Sequence, residues 1–312
     1  MLITVCISTV RPDTLEYSVR SILSQTYRDW ELIIVSQGGS ADLQDAVCRT
    51  VKRDGRIRNI HLNEKGLSRG RNAGIEAARG EVIAFTDDDC EAPEEWLQTI
   101  AESFQQYPEA GLLGGSLIAP DTPRSLISTC PEFHANECYY DPRQQSAPPG
   151  YGWAGGDFAL RTSVAKRVGP FDIYLGAGTS FPCCEDIDYG LRVEKAGVVC
   201  ISSPRVRVYH TYGRRYGVRA VWKHLDNYAV GRGAFLAKLK QIRHPLAETW
   251  EREERSAGWS KLLRKPHRFL IDRYFSRRVR YGYEEYNRLF RVENGLSVPV
   301  NHQDQRRRIE TT

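Results

Sequence analysis

The stretch Glu81-Val82-Ile83-Ala84-Phe85-Thr86-Asp87-Asp88-Asp89 constrains this chain more than any other. A short apolar run, rich in β-branched and aromatic residues, reads as a buried strand, and it stops at three carboxylates. Like charges gathered at a strand end are costly unless a cation or a ligand neutralises them. Alternate side chains of an extended chain share a face, which predicts that Asp87 and Asp89 point together and Asp88 elsewhere. Hard oxygen donors of this kind suit Mg2+ or Mn2+, ions that usually arrive with a phosphate. A solvated acidic turn would be written with the same residues, so the surrounding chain has to decide.

Upstream, residues 2–7 form an apolar run that breaks at Ser8-Thr9-Val10-Arg11-Pro12. A helix follows, with Leu15, Val19, Ile22 and Leu23 on one face and Asp13 near its start as a cap. Strands are predicted over 30–35 and 57–62, and helices over 41–52 and from the glycine-rich Gly66–Gly74 segment to Ala78. This alternation predicts an α/β fold, a mostly parallel sheet with helices on both faces, whose ligands bind beyond the carboxyl ends of the strands. Those ends are Ser8-Thr9, Ser36-Gln37 and Asp87–Asp89, and all are polar.

Downstream, a helix from Trp96 to about Gln106 and a strand over 111–118 precede residues 119–150, a Pro-rich and polar insertion suited to folding over a substrate. Gly155-Gly156 lets backbone approach a ligand closely, as an ordinary turn would also require. Glu185-Asp186-Ile187-Asp188 opens a helix ending near Gly197, where carboxylates also serve as helix-dipole partners. Strands over 199–201 and 205–209 lead to His210, a residue type more often structural than ligating. From about residue 214 helical patterning dominates.

The chain has 312 residues and a net charge of +5 that hides an asymmetry. Residues 1–204 hold 19 Lys and Arg against 28 Asp and Glu, whereas residues 205–312 hold 25 against 11. The basic third suits an anionic surface such as lipid headgroups, and equally a solvated face; the acidic remainder argues against a dedicated nucleic-acid protein. No apolar run reaches the roughly 20 residues of a membrane span, and the first residues read as a strand rather than a signal peptide. A cytoplasmic protein is expected, with peripheral attachment to the inner face of the membrane as the alternative that the basic third leaves open. The eight cysteines include no Cys-x-x-Cys and suit reduced thiols. Cys130, His134 and Cys138, spaced by four, would share a helical stripe and offer a zinc site with Cys183 or Cys184, or simply core side chains. Three segments are expected: a catalytic domain over 1–213, a basic helical region over 214–298 and a disordered tail over 299–312.

Taken together, these segments resemble the family 2 glycosyltransferases. Ser8-Thr9-Val10-Arg11 stands where the family has its first turn, and Ser21–Tyr27 resembles its first helix. Gly66-Leu67-Ser68-Arg69, Arg71-Asn72-Ala73-Gly74, Ala78–Glu81 and Asp87–Asp89 carry the closest likeness. Gly155-Gly156, Gly176-Ala177-Gly178 and Glu185–Asp188 follow in the family's order. The resemblance covers roughly residues 2–210. It implies a GT-A-type fold and an inverting, metal-dependent sugar transfer from a nucleotide-sugar to an acceptor hydroxyl, in polysaccharide, glycolipid or other glycoconjugate synthesis.

The resemblance also implies roles. Asp87 and Asp89 would hold Mg2+ or Mn2+ and the ribose or diphosphate of the donor, with His210 able to reach the metal or diphosphate, and Asp87 and Asp88 would both lie at donor-binding positions. Thr9, Arg71, Gly155 and Gly156 fall at donor-binding positions. Asp186 stands at the catalytic base, with Glu185 beside it. After the second strand, Val35-Ser36-Gln37-Gly38-Gly39-Ser40 departs from the family's Val-Asp-Asp-Gly-Ser. Gln37 can still accept and donate to a base, so UDP- or dTDP-sugars are favoured and a GDP-sugar is admitted. The acceptor would be a glycan, a lipid-linked sugar or a small molecule. A sugar nucleotidyltransferase shares the carboxylates but would carry a glycine-rich basic loop after the first strand, and Ser8–Thr14 has no glycine. A non-catalytic protein using its basic third on membrane or nucleic acid is the remaining alternative.

Overall fold

The computed structural model describes residues 1–121, 127–148, 151–256 and 266–300. By contact the chain divides into two units, Met1–Phe171 with Tyr189–Val218, and Asp172–Asp188 with Arg219–Thr312.

The first unit is built on one mixed sheet. Strands β1 (Ile3–Thr9), β2 (Trp30–Gln37), β3 (Ile57–Leu62) and β4 (Val82–Asp87) run parallel in the order β3-β2-β1-β4. Helices α1 (Pro12–Leu23), α2 (Ala41–Val51) and α3 (Leu67–Ala77) connect them, the crossover that parallel strands need. The sheet continues from β4 through β8 (Asp157–Arg161), β5 (Ala110–Ile118) and β9 (Val199–Tyr209) to β7 (Cys138–Tyr140). Both faces are buried. Ile3, Val5 and Ile7 pack into one apolar cluster, while Cys6, Ile33, Val35, Ile83 and Phe85 pack into another. That two-sided burial explains why the strands read as continuous apolar runs.

Three local expectations change. Asp13 sits inside the first turn of α1 rather than capping it; Arg11 occupies the cap position but its side chain makes no capping bond to the helix, and Pro12 opens the helix. The strands expected over 199–201 and 205–209 are one strand, β9, and its pairing with β5 shifts register between Gly114 and Ser116, accommodating Pro204. Residues 119–150 contribute β6 (Ser128–Thr129) and β7 where they are described. Helix α4 (Trp96–Gln106), helix α5 (Thr162–Val168) and strand β10 (Arg215–Tyr216), paired with β6, complete this unit.

Helix α6 (Glu185–Lys195) begins in the second unit. That unit also contains α7 (Val218–Gln241) from Arg219, α8 (Leu246–Ser256), α9 (Pro266–Leu289) and the hairpin β11 (Phe290–Glu293) and β12 (Leu296–Pro299). Asn294 and Gly295, both in the left-handed region, form its two-residue turn. The ring of Tyr174 lies against Phe290, and that of Phe181 against Tyr286 and Phe290, so the segment before α6 shares the hairpin's core. No helix among the described residues is long and apolar enough to cross a membrane. Trp259, Leu262, Leu263 and most of the expected tail, residues 301–312, lie outside the described residues.

Candidate active site

Strand β4 ends at Asp87, and the Cys90 N–H donates to the Asp87 carbonyl (3.2 Å), closing a turn. The extended run therefore stops at Asp87, two residues short of Asp89. Asp88 and Asp89 face the same partner, the Arg11 guanidinium at the start of α1. Arg11 donates to both oxygens of Asp88 and lies 2.9 Å from Asp89 Oδ2. Thr9 Oγ1, at the end of β1, also donates to Asp88 (2.7 Å). Both carboxylates are buried, and the cation that offsets their desolvation comes from the chain itself. Asp87 differs: 28% of its side chain remains exposed.

Arg71 reaches this end of the sheet from α3. It is buried, lies 3.8 Å from Asp87 Oδ1 and donates to the Gly155 carbonyl (2.7 Å). Gly156 passes so close to Asp87 that an added Cβ would sit 3.1 Å from its Oδ2. Thr9, Arg71, Asp87, Asp88, Gly155 and Gly156 are thus brought to one place. Gln37 engages the loop ahead of α3: its amide donates to the Gly66 carbonyl (2.8 Å) and accepts from the Gly66 N–H (3.1 Å).

His210 follows β9 and joins the cluster. Its Nε2 lies 3.3 Å from Asp89 Oδ1, and its Nδ1 donates to the Pro131 carbonyl (3.0 Å). Gly213 lies against the imidazole, where a Cβ would collide with the ring. Burial pushes the Asp87 carboxyl up, to about 6, against the pull of Arg71. Burial also raises Asp88, and Arg11 only partly reverses it. At Asp89 burial is outweighed: the His210 hydrogen bond and the Arg11 charge hold the carboxyl well below its ordinary range. Burial works against charged His210 too, but the hydrogen bond and charge of Asp89 raise its pKa.

The donor set fits a divalent cation. Asp89, Cys90 and His210 place one ligand atom each within 4.8 Å of one another. Burial and the charges of Asp87 and Asp89 push the Cys90 thiol well up, and a protonated thiol is a poor ligand for a hard ion. Asp89 Oδ1 and His210 Nε2 are spaced as two ligands on one ion would be, at bonds of about 2.1 Å. The Pro131 carbonyl fixes the tautomer that leaves Nε2 free to bind.

The zinc alternative is not assembled. Residues 130–138 form no helix; Cys130 Sγ lies 3.5 Å from His210 Nδ1, exposed His134 approaches Glu132, and Cys138 belongs to β7. Among the described residues the cluster around Asp89 is the one with metal-ligating geometry.

Glu185 and Asp186 belong to the second unit, at the start of α6. Glu185 is buried; Asp186 is half-buried and accepts from the Ile187 N–H (2.8 Å).

Residues 3–169, over half of the chain, match glycosyl transferase family 2. The chain belongs to that family. It is similar to the glucosyl-dolichyl phosphate glucuronosyltransferase of Haloferax volcanii, 26% identical over 214 residues that cover 64% of this chain and 65% of the relative. It is also similar to glycosyltransferase GlyG of Streptococcus pneumoniae, 34% identical over 98 residues, 31% of this chain and 32% of GlyG. The chain therefore spans less than two thirds of either relative.

Two solved structures share the fold. One is the mannosyltransferase PcManGT from Pyrobaculum calidifontis in complex with GDP-Man and Mn2+, with a TM-score of 0.58 and 15% identity over 90% of this chain and 86% of that one. The other is S. aureus TarS 1–349, with a TM-score of 0.53 and 15% identity over 97% of each chain. The fold is the expected GT-A type, a mostly parallel mixed sheet flanked by helices.

Sequence reasoning missed Arg11 as the partner of Asp88 and Asp89. It also missed the buried carboxyl of Asp157, which accepts from Trp96 Nε1 (2.9 Å) and which burial raises well above the usual range. The turn resembling the family's first one contains Arg11, and three neighbouring carboxylates were the signal that a cation had to be near.

Proposed function

We propose that this chain is a metal-dependent, inverting glycosyltransferase that moves a sugar from a nucleotide-sugar to an acceptor hydroxyl in polysaccharide, glycolipid or other glycoconjugate synthesis. The observation that carries this reading is the pairing of Asp89 with His210 in a turn whose neighbour, Asp87, is still open to a ligand. Asp89 and His210 would hold the ion, with Asp87 beside them. When bound, Mg2+ or Mn2+ supplies positive charge that stabilises the departing diphosphate.

The remaining roles fall to the chain's own groups. Arg71 orders Gly155 next to Asp87, and Thr9 orders Asp88, which shapes the donor pocket. Asp186, partly open at the start of α6, takes the proton of the acceptor hydroxyl as its oxygen attacks the anomeric carbon and the sugar–phosphate bond breaks. Glu185 lies beside it. General-base assistance of this kind is worth about 10²–10⁴-fold in rate.

Thermal melting with UDP-, dTDP- and GDP-sugars, each with and without Mn2+, tests the reading. One donor should raise the Tm when metal is present, because a ligand selective for the native state stabilises it. Asp89→Ala should abolish that shift. A panel in which no donor acts together with metal would sink the proposal.

The acceptor belongs to the same reading. A lipid-linked one is supported by the dolichyl phosphate in the name of the Haloferax relative. In the second unit Trp222, Leu225 and Tyr228 of α7 and Ile271 and Tyr274 of α9 are exposed, and the Trp222 and Tyr274 rings lie 4.9 Å apart. Arg219, Lys223, Arg273 and Arg277 are exposed on the same helices. Aromatic rings interleaved with cations suit an anionic membrane surface. Sedimentation with phosphatidylglycerol vesicles should exceed that with phosphatidylcholine, and Trp222→Ala should reduce it; equal binding to both would remove the membrane from this scheme.

A further inference from the structure

Deep in the second unit, three charged groups meet that the reaction does not call for. Lys238, in the middle of α7, is fully buried. Its Nζ lies 2.6 Å from Asp172 Oδ2 and 2.5 Å from Asp188 Oδ1, and both carboxylates are buried as well. Asp172 Oδ2 also accepts from the N–H (2.8 Å) and Oγ (2.5 Å) of Ser297 on β12, and the Tyr286 hydroxyl of α9 lies 2.5 Å from Ser297 Oγ. Asp172 Oδ1 accepts from the Tyr174 N–H (3.1 Å). The lysine thus ties α6, α7, the hairpin and the segment leading to α6 at a single point.

Burial of this kind is a poor way to gain stability. Apolar side chains of similar volume would fill the space without desolvating three charges, and exchanges of that sort are often neutral or stabilising. Direction is what the charged trio adds. A salt bridge fixes the rotation and height of a helix as an apolar contact does not, and Asp188 lies in the first turn of α6, two residues after Asp186.

We propose that Lys238 is a positioning residue: through Asp188 it sets the orientation of the helix start that presents Asp186. This rests on the assignment of Asp186 as the base. A loosened helix start would leave donor binding intact and misplace the proton acceptor, a defect confined to turnover. Misplacement by about 1 Å can cost on the order of 100-fold in rate.

The decisive variant is Asp188→Asn. It keeps the shape of the side chain, leaves Lys238 and Asp172 as a balanced pair, and removes the charged tie to α6. We expect kcat to fall about ten-fold or more with the donor KM within about two-fold of wild type, measured on protein whose circular dichroism is unchanged. Lys238→Met should act in the same direction, and the double variant should be no worse than Lys238→Met alone, because both changes cut the same link. An Asp188→Asn enzyme with wild-type kcat would overturn the proposal. So would one that fails to fold, or one whose loss lies in KM. Asp186→Asn in parallel separates the two layers: wild-type turnover there would remove the base assignment, whereas an inactive Asp186→Asn beside a fully active Asp188→Asn would remove only the role of Lys238.

Discussion

Each unit buries a pair of carboxylates against one cation of the chain, and the two solutions differ in what they leave over. In the first unit Arg11 keeps 39% of its side chain in water and takes Asp88 with both oxygens but Asp89 with only Oδ2. Asp89 Oδ1 is thereby left to His210. In the second unit Lys238 is sealed between Asp172 and Asp188, and Ser297 adds two further donors to Asp172. A planar fork holds carboxylates at the edge of a site while sparing acceptor sites for another ligand; a point charge at the centre of a closed network ties elements together. The first arrangement is open to exchange. The second is not.

That contrast can be broken by removing each cation in turn. Lys238→Met strands two buried carboxylates with no access to water, and by the general cost of breaking a buried pair it should lose about 3–5 kcal/mol in urea unfolding. Arg11→Met should lose less, about 2 kcal/mol, because Arg11 is partly hydrated and Asp88 and Asp89 keep Thr9 and His210. Mn2+ should restore part of the Arg11→Met loss and none of the Lys238→Met loss. Equal losses, or equal rescue by the ion, would show that the two clusters are not different in kind.

The expected fold came from periodicity, and it held where periodicity is a local property. The strands through Ile33 and Phe85 and the helices between them were readable because a sheet buried on both faces requires unbroken apolar runs. The cluster at the end of β4 was readable as a set of residue types: Thr9, Arg71, Asp87, Asp88, Asp89 and Gly155-Gly156 all reach one end of the sheet. How they pair was not. Arg11 and Asp88 are 77 positions apart, and their contact depends on where β4 stops, a boundary that local patterning leaves uncertain by a residue or more. Alternation also gave no sign that the turn closed at Cys90 brings Asp89, together with Asp88, to Arg11. Lys238 was hidden for a different reason. In a segment rich in Lys and Arg one more cation reads as solvated, and only burial, a tertiary property, distinguishes it.

The smallest expected effect lies in the pH dependence of the open cluster. Asp89 is held below its unfolded value, so its pairing stabilises the fold above about pH 4 and is lost as pH falls through the lowered native value. His210 is raised, so its contribution is complete below about pH 6.5 and disappears as pH rises through the raised native value. Wild-type protein freed of metal by a chelator should therefore lose stability as pH rises above about 6.5, and His210→Gln should lack that slope while unfolding normally elsewhere. Urea midpoints between pH 5 and 9 measure it; parallel curves for the two proteins would mean that His210 is not charged in the native state. Mn2+ should erase the same slope in wild type, because a ligating imidazole has given up its Nε2 proton and pH then acts on ion binding instead. Asp188→Asn, which leaves Asp89 and His210 untouched, should leave the slope as it is. A pH slope that responds to His210 and to metal, but not to Asp188, is what an exchangeable site distinct from a fixed one requires.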